Sequence, residues 1–319
     1  MTAPKPLLTY QEFVGYDLSL PIAQAICLKA GIPEPTSIRR LRRGEVNAIF
    51  VLELPGGALV VLKVWVRCSD DEVMRREEGV IKIVQRVSAV LTPGWIYVSS
   101  GDSTLAYPHA LIEYAAGVDG DRVWSEIGFE DKEKILTQCA SQMHDLHSIP
   151  VGPNIVAILG NPMSGREWRE SEENRFHGAV GLLRNQGWLG KDTLDRCVAL
   201  WTDHSDSMEA VEVDALVHHD FQLHNIRVDP ATLNLVAVLD FGKAKIAPAF
   251  TDSRDLHLSV FLKSPELSGC FWRAYGMLSV EQELVMKLHS LARVLDILAA
   301  YQGPAPGGWD RSTVLKLLE

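Results

Sequence analysis

The sequence is poor in cysteine: five residues in 319 (Cys27, Cys68, Cys139, Cys197, Cys270), odd in number and widely scattered. That density excludes a disulfide scaffold, and the lack of C-x-x-C pairs excludes the common structural zinc sites. A reducing cytoplasm is the expected home. No apolar run reaches the about 18 residues a membrane span needs, so no membrane partner is expected. The N-terminal MTAPKPLLTYQEF has no apolar core or cleavage-like site, so no signal peptide is expected. Basic residues are also short, 31 Lys+Arg against 41 Asp+Glu, for a net charge of −10. Nucleic acid is therefore not an expected partner, because its phosphates need a basic face.

What remains is a folded globular composition, 47% hydrophobic, in a chain longer than one ordinary core. Residues 47–54 (NAIFVLEL) and 58–66 (ALVVLKVWV) are β-prone and joined by Pro55-Gly56-Gly57, a hairpin signal. Residues 70–86 read as a helix, with Val73, Glu77, Val80, Ile81 and Val84 at helical spacing. Residues 95–99 and 109–114 read as further strands. Beyond Ala115 helices dominate, at 132–149, 166–183, 191–207, 279–301 and 310–318; Ser279 and Gln282 have capping-box spacing. Only 215–217, 226–228 and 235–239 look strand-like in that part. The expectation is an α+β chain: a small antiparallel sheet with one helix in residues 1–115, and a larger, mostly helical part in 116–319. The first carries 12 basic and 12 acidic residues; the second carries 19 and 29, hence all the excess negative charge.

Two segments concentrate chemistry. VHHDFQLHNIRVD (217–229) sets an Asp and, five residues later, an Asn between apolar runs, and VAVLDFGKAK ends a strand-like run in Asp240-Phe241-Gly242. Phosphoryl transfer needs a carboxylate for the attacking hydroxyl, hard oxygen ligands for magnesium and a lysine for the phosphates. Asp220, Asn225 and Asp240 supply the first two. A chance H-x-D-x-x-x-x-N match has odds of roughly one per cent here, and a nearby D-F-G multiplies that by roughly 0.002. A zinc site at His218, His219 and His224 fits no common ligand spacing. Lys63 sits in the otherwise apolar VVLKVWV and so needs a counter-charge. Glu77 on the following helix is the natural candidate; Glu78 faces about 100° away.

In these residues the chain resembles the aminoglycoside phosphotransferase and choline kinase-like family, which has the bilobal protein-kinase-like fold. His218, Asp220 and Asn225 match the family's catalytic loop, Asp240 its metal-binding aspartate, and Leu146-His147-Ser148-Ile149-Pro150 a characteristic helix end. His219 stands where the family usually has Gly, and Leu223-His224 where Pro-Gly is common. The resemblance implies a nucleotide-binding lobe at 1–115 and a catalytic and acceptor-binding lobe at 116–319, with ATP and Mg2+ as cofactors. It implies that Asp220 is the catalytic carboxylate, that His218 orients the loop and that Asn225 and Asp240 are metal ligands. Lys63, held by Glu77, would touch the phosphates; Gly44 and Asn47 would lie in a phosphate-covering loop; main-chain groups of Ile112-Glu113-Tyr114 would bind adenine. Asp255 resembles an aspartate that braces the catalytic loop.

The implied activity is transfer of the γ-phosphate to a hydroxyl of a small molecule. Choline-like alcohols, homoserine and sugars are other acceptors handled on this scaffold, and a non-catalytic relative is the rival class. The negative charge of residues 116–319 favours a cationic acceptor, most simply an aminoglycoside-type antibiotic. Glu167, Glu170, Glu172 and Glu173 are its candidate contacts.

Overall fold

A computed structural model describes Leu8 and residues 10–41, 47–67, 71–304 and 308–319. The chain forms two compact units, residues 1–86, 91–116 and 237–242 in one, and 87–90, 117–236 and 243–319 in the other.

The first unit holds α1 (Tyr10–Gly15), α2 (Leu20–Lys29), β1 (Ser37–Leu41), β2 (Ala48–Glu53), β3 (Leu59–Val64), α3 (Glu72–Val87), β4 (Trp95–Ser99) and β5 (His109–Glu113). The five strands form one antiparallel sheet in the order β1-β2-β3-β5-β4. The β2–β3 turn works because Gly56 and Gly57 take φ of 86° and 84°, left-handed values that side chains disfavour. The Leu54 N–H then reaches the Ala58 carbonyl at 2.7 Å.

Strand alternation separates two faces. Val60, Leu62 and Val64 join Phe50, Leu52 and Leu111 in a core closed by Ala23, Ile26 and Cys27 of α2. Val61 and Trp65 point the other way and pack with Met74 of α3, Ala110 and Ile112. Lys63 shares their parity, so it emerges on the α3 side of a central strand. The buried stripe of α3 is Met74, Glu77, Val80, Ile81 and Val84. Glu77 is therefore turned inward, whereas Glu78 pairs with Lys82 at 2.6 Å, one turn along the helix.

The sequence reading did not include α1, α2 or β1. Ser37–Leu41 is SIRRL, too polar to read as a strand, and it forms because β2 offers it a full register from Ile49 to Glu53.

The second unit begins with β6 (Val118–Asp119), α4 (Gly120–Trp124), α5 (Phe129–His147), α6 (Pro153–Leu159), α7 (Gly165–Gln186) and α8 (Lys191–His204). Then follow β7 (Ala215–Val217), β8 (Ile226–Val228), β9 (Leu235–Val238), whose last two residues fall in the first unit, and β10 (Lys245–Ala247). It ends with α9 (Arg254–Leu256), α10 (Pro265–Tyr275), α11 (Val280–Tyr301) and α12 (Arg311–Leu317). Helices α7 and α11 pack together, as do α5 and α10. Both α7 and α11 start in complete capping boxes, Ser164 with Glu167 and Ser279 with Gln282. Trp168 and Trp201 are core residues, Trp201 stacked on Phe176 at 4.3 Å between ring centroids.

The strands here number more than the three expected. β6 pairs with β8 in a β6-β8-β9 sheet, and β10 pairs with β7, Lys245 opposite Val217. At two and three residues, β6 and β10 carry no readable alternation, and only their partners define them. Among the described residues no helix is long and apolar enough to cross a membrane.

Candidate functional site

Each unit carries one half of the predicted constellation. In the first, Lys63 Nζ lies 2.8 Å from both carboxylate oxygens of Glu77 and 2.8 Å from Asp240 Oδ1. The side chains of Lys63 and Glu77 are 7% and 3% exposed, that of Asp240 46%. Removing an ammonium from water costs several kcal/mol, offset only by close ionic partners with good geometry. Lys63 has two, and its ring neighbour Trp65 lies 5.0 Å from Nζ.

Burial alone would lower the pKa of Lys63, but the charges of Asp240 and Glu77 outweigh it, so the lysine stays protonated. Burial pushes Glu77 up to about 7, helped by the Asp240 charge and opposed by Lys63. One cation between two carboxylates cannot fully compensate both, and the more buried carboxylate carries the excess. Gly242 borders this triad: a Cβ there would lie 3.3 Å from Glu77 Oε2, which suits the last position of D-F-G to glycine.

The other nucleotide candidates differ. Gly44 lies outside the described residues, as do the rest of 42–46. Asn47 is half-buried, with a buried Oδ1 that has no hydrogen-bond partner among the described residues. Glu113 is exposed at the end of β5. Its N–H already donates to the Gly94 carbonyl at 2.8 Å, and its Oε2 accepts the Gly94 N–H at 2.9 Å. Tyr114 is half-buried beside it.

In the second unit, β7 runs into the loop 218–225, which a short 3₁₀ turn at Leu223–Asn225 joins to β8. His218 is fully buried and its Nδ1 accepts the Asp220 N–H at 3.3 Å, so its ring shapes the loop from within. Asn225 is buried and donates through Nδ2 to the Asp220 carbonyl at 2.9 Å. This leaves the amide oxygen as the atom with which it would ligate a cation. The Asp220 carboxylate has three partners: Gln222 Nε2 reaches Oδ1 at 2.7 Å, and Lys243 Nζ and Asn225 Nδ2 reach Oδ2 at 3.0 Å and 3.4 Å.

The loop is held from below by Asp252. Its Oδ2 accepts the His218 N–H at 2.7 Å and its Oδ1 the His219 N–H at 2.6 Å. His147 Nε2 donates to the same carboxylate at 3.1 Å, while its Nδ1 meets the Tyr275 hydroxyl at 2.7 Å. Burial would raise the pKa of Asp252, but the hydrogen bond from His147 and the His218 backbone N–H outweigh it, so the carboxyl lies below its ordinary range. Asp255, expected to brace the loop, does so at one remove. It binds Arg254 at 2.7 Å, and Arg254 Nη2 donates to the His219 carbonyl at 3.3 Å. The sequence reading missed Asp252, Tyr275, Gln222, Lys243 and Arg254. Asp252 stands three residues before Asp255 in TDSRDL, and spacing alone did not choose between them.

His219 has φ of 61°, in the left-handed region where the family resemblance expects glycine. Histidine tolerates that region better than most residues. Burial, with Arg254 and Lys245 nearby, drives its pKa well below the ordinary value, so the ring is neutral.

Each glutamate of the acidic run on α7 has a local partner, and only Glu172 is buried. Glu167 closes the capping box, Glu170 pairs with Arg166 at 2.9 Å, Glu172 is buried against His289 at 2.8 Å, and Glu173 lies 3.8 Å from His177.

The model of the phosphotransferase enzyme family APH matches residues 37–284 of this sequence. No curated protein sequence matches it. Among solved structures, the GDP and kanamycin complex of APH(2")-IIia is similar at 14% identity with a TM-score of 0.69, over 88% of this chain and 91% of that one. A thermostable mutant of aminoglycoside phosphotransferase APH(4)-Ia, in a ternary complex with ADP and hygromycin B, is similar at 17% identity and 0.63, over 93% and 97%. Spectinomycin phosphotransferase APH(9)-Ia, with ADP and spectinomycin, is similar at 12% and 0.64, over 90% and 88%. These likenesses establish the kinase-like α+β fold.

Proposed function

The chain belongs to the phosphotransferase enzyme family, and from that premise we propose an ATP-dependent O-phosphotransferase whose acceptor is a small molecule. The carrying observation is the Lys63–Glu77–Asp240 triad, a protonated lysine fixed at 2.8 Å by two carboxylates. A buried ammonium of that kind serves as a fixed counter-charge for phosphates.

In this reading residues 1–115 bind the nucleotide and residues 116–319 carry catalysis and the acceptor. Lys63 contacts the phosphates, Glu77 orients it, and Asn47 and Gly44 belong to a phosphate-covering loop. Main-chain groups of Ile112-Glu113-Tyr114 bind adenine, with the Glu113 N–H already committed to Gly94. Asp220 positions the acceptor hydroxyl and takes its proton; His218 and Asp252 hold the loop that carries it. Asp240, half-exposed, and Asn225 are hard oxygen donors that suit Mg2+, which accepts few protein ligands and keeps its waters. Bound there, magnesium would neutralise charge on the phosphates. A cytoplasmic enzyme agrees with this chemistry and with the buried free thiols of Cys27, Cys139 and Cys197.

For the acceptor we propose an aminoglycoside-type antibiotic, with a resistance role. Support comes from the excess negative charge in residues 116–319 and from acceptors seen with relatives of the same fold. Each of the α7 glutamates also has a local partner. The test is an ADP-release assay over aminoglycosides, neutral sugars and amino alcohols with ATP and Mg2+. An aminoglycoside should give the highest kcat/KM, with a KM that rises with salt because the attraction is screened over about 8 Å. A neutral or acidic best acceptor, without a salt effect, would refute the acceptor class and leave the phosphotransferase intact.

A further inference from the structure

The residue after D-F-G is Lys243, at the end of the 3₁₀ turn Phe241–Lys243. Its Nζ sits 3.0 Å from Asp220 Oδ2; the lysine side chain is 57% exposed and the Asp220 side chain 9%. We propose that Lys243 is a catalytic residue that leaves Asp220 and binds the transferring phosphoryl group in the transition state. The inference rests on the phosphotransferase reading above.

Three observations carry it. Asp220 has no need of Lys243 for its orientation. Gln222 Nε2 already holds Oδ1 at 2.7 Å, and Asn225 anchors the backbone of the same residue at 2.9 Å. A half-exposed lysine is also a poor brace, since an ammonium on a flexible four-carbon stem loses entropy to hold one geometry and gains little in water. The same properties suit a charge that changes partner.

The charge count points the same way. The one lysine of the triad is bound by two carboxylates, so it brings no surplus positive charge. The transferring group spreads negative charge over three oxygens as it approaches a hydroxyl held by a further carboxylate, Asp220. The acceptor oxygen must lie within hydrogen-bond reach of Asp220, about 2.6–3.2 Å, so an ammonium on the other oxygen of that carboxylate is one side-chain swing away.

The step balances without further reactants. The acceptor proton passes to Asp220, the acceptor oxygen forms the new O–P bond, and the bond from phosphorus to the β,γ-bridging oxygen breaks with its electron pair leaving on ADP. Lys243 keeps its proton and exchanges a carboxylate oxygen for a phosphoryl oxygen.

The test compares the full-length wild type with Lys243→Met and Lys243→Arg, using calorimetric titration of ADP, of ATP, and of ADP with aluminium fluoride, each with Mg2+. Aluminium fluoride beside ADP stands in for the transferring phosphoryl. We expect Lys243→Met to melt like wild type and to bind ATP and ADP within about 2-fold of it, while losing about 10²-fold of the affinity that fluoride adds. Lys243→Arg should keep most of that gain. If Lys243→Met keeps the full gain, or loses plain ADP affinity in parallel, or if fluoride adds nothing to wild type, the proposal is overturned and the phosphotransferase reading stands. A wild type that binds no nucleotide at all would overturn both.

Discussion

Asp252 Oδ1 accepts the backbone N–H of His219 at 2.6 Å, at the one residue of the catalytic loop whose φ is 61°. The same carboxylate takes the His218 N–H with its other oxygen, so the entry to the loop hangs on one buried side chain. A left-handed residue costs roughly 1–2 kcal/mol and persists only where the surroundings over-determine it. Asp252, with His147 and Tyr275 behind it, provides that determination.

Asp252→Ala should therefore destabilise the protein strongly, on the order of 3–5 kcal/mol, because two backbone N–H groups and His147 lose their buried acceptor. Asp252→Asn keeps one oxygen and should fold, with turnover reduced at least about 10-fold by a misplaced Asp220. Asp255→Asn should be milder for turnover, since it reaches the loop only through Arg254. Thermal melts and steady-state rates on the three variants settle the order; a larger loss of turnover in Asp255→Asn would contradict the direct brace.

Asp220→Ala should lower turnover at least about 10³-fold while the nucleotide still raises the melting temperature. Near-normal turnover on the best acceptor would remove Asp220 from the chemistry.

Lys63→Met leaves Glu77 and Asp240 facing each other without their cation. We expect KM for ATP to rise at least about 10-fold, and Glu77→Gln to produce a smaller rise, since the lysine keeps Asp240 as a partner. The two variants together should cost less than the sum of each alone, because both act through one ammonium. Additive effects in a double-mutant cycle would exclude the coupling.

Acidification from neutrality should remove the stability that two buried neutral histidines contribute, while Glu77, pushed up to about 7, acts in the opposite direction. Burial pushes His257 down to about 4 and His289 down to about 3, against 6.5 for an unperturbed histidine. Between pH 6.5 and about 4 the unfolded chain binds protons at these residues and the folded chain does not, so unfolding gains over folding as pH drops. Glu172 acts in the same direction at lower pH. Burial opposes its ionisation, but His289, Arg175 and Lys245 hold it at about 2, so its contribution is complete above 4.5 and lost as pH falls towards 2. With His289 neutral, Arg175 and Lys245 are the lasting cations of that group. His257→Asn should flatten the melting-temperature profile between pH 6.5 and 4 relative to wild type. Parallel profiles would show that His257 is protonated in the fold.

The sequence by itself determined the parts whose signal is local. The Pro55-Gly56-Gly57 turn, the stripe of α3 that turns Glu77 inward and the cap of α11 depend on neighbours within a few residues. The H-x-D-x-x-x-x-N and D-F-G segments likewise declare their chemistry through spacing along one chain. Tertiary structure decided what depends on distant partners. β1 and β10 are strands because β2 and β7 offer them edges. Asp252 rather than Asp255 receives the loop amides because the 3₁₀ turn at Ala249–Ser253 presents it to β7. Lys243 lies on Asp220 across 23 residues of chain. The glutamates of α7 seemed a charged face in one dimension, yet in the fold Glu172 is buried against α11 and the others are paired close by. A carboxylate's sign is written in the sequence, but whether it is free to meet a ligand depends on which cations the fold brings to it.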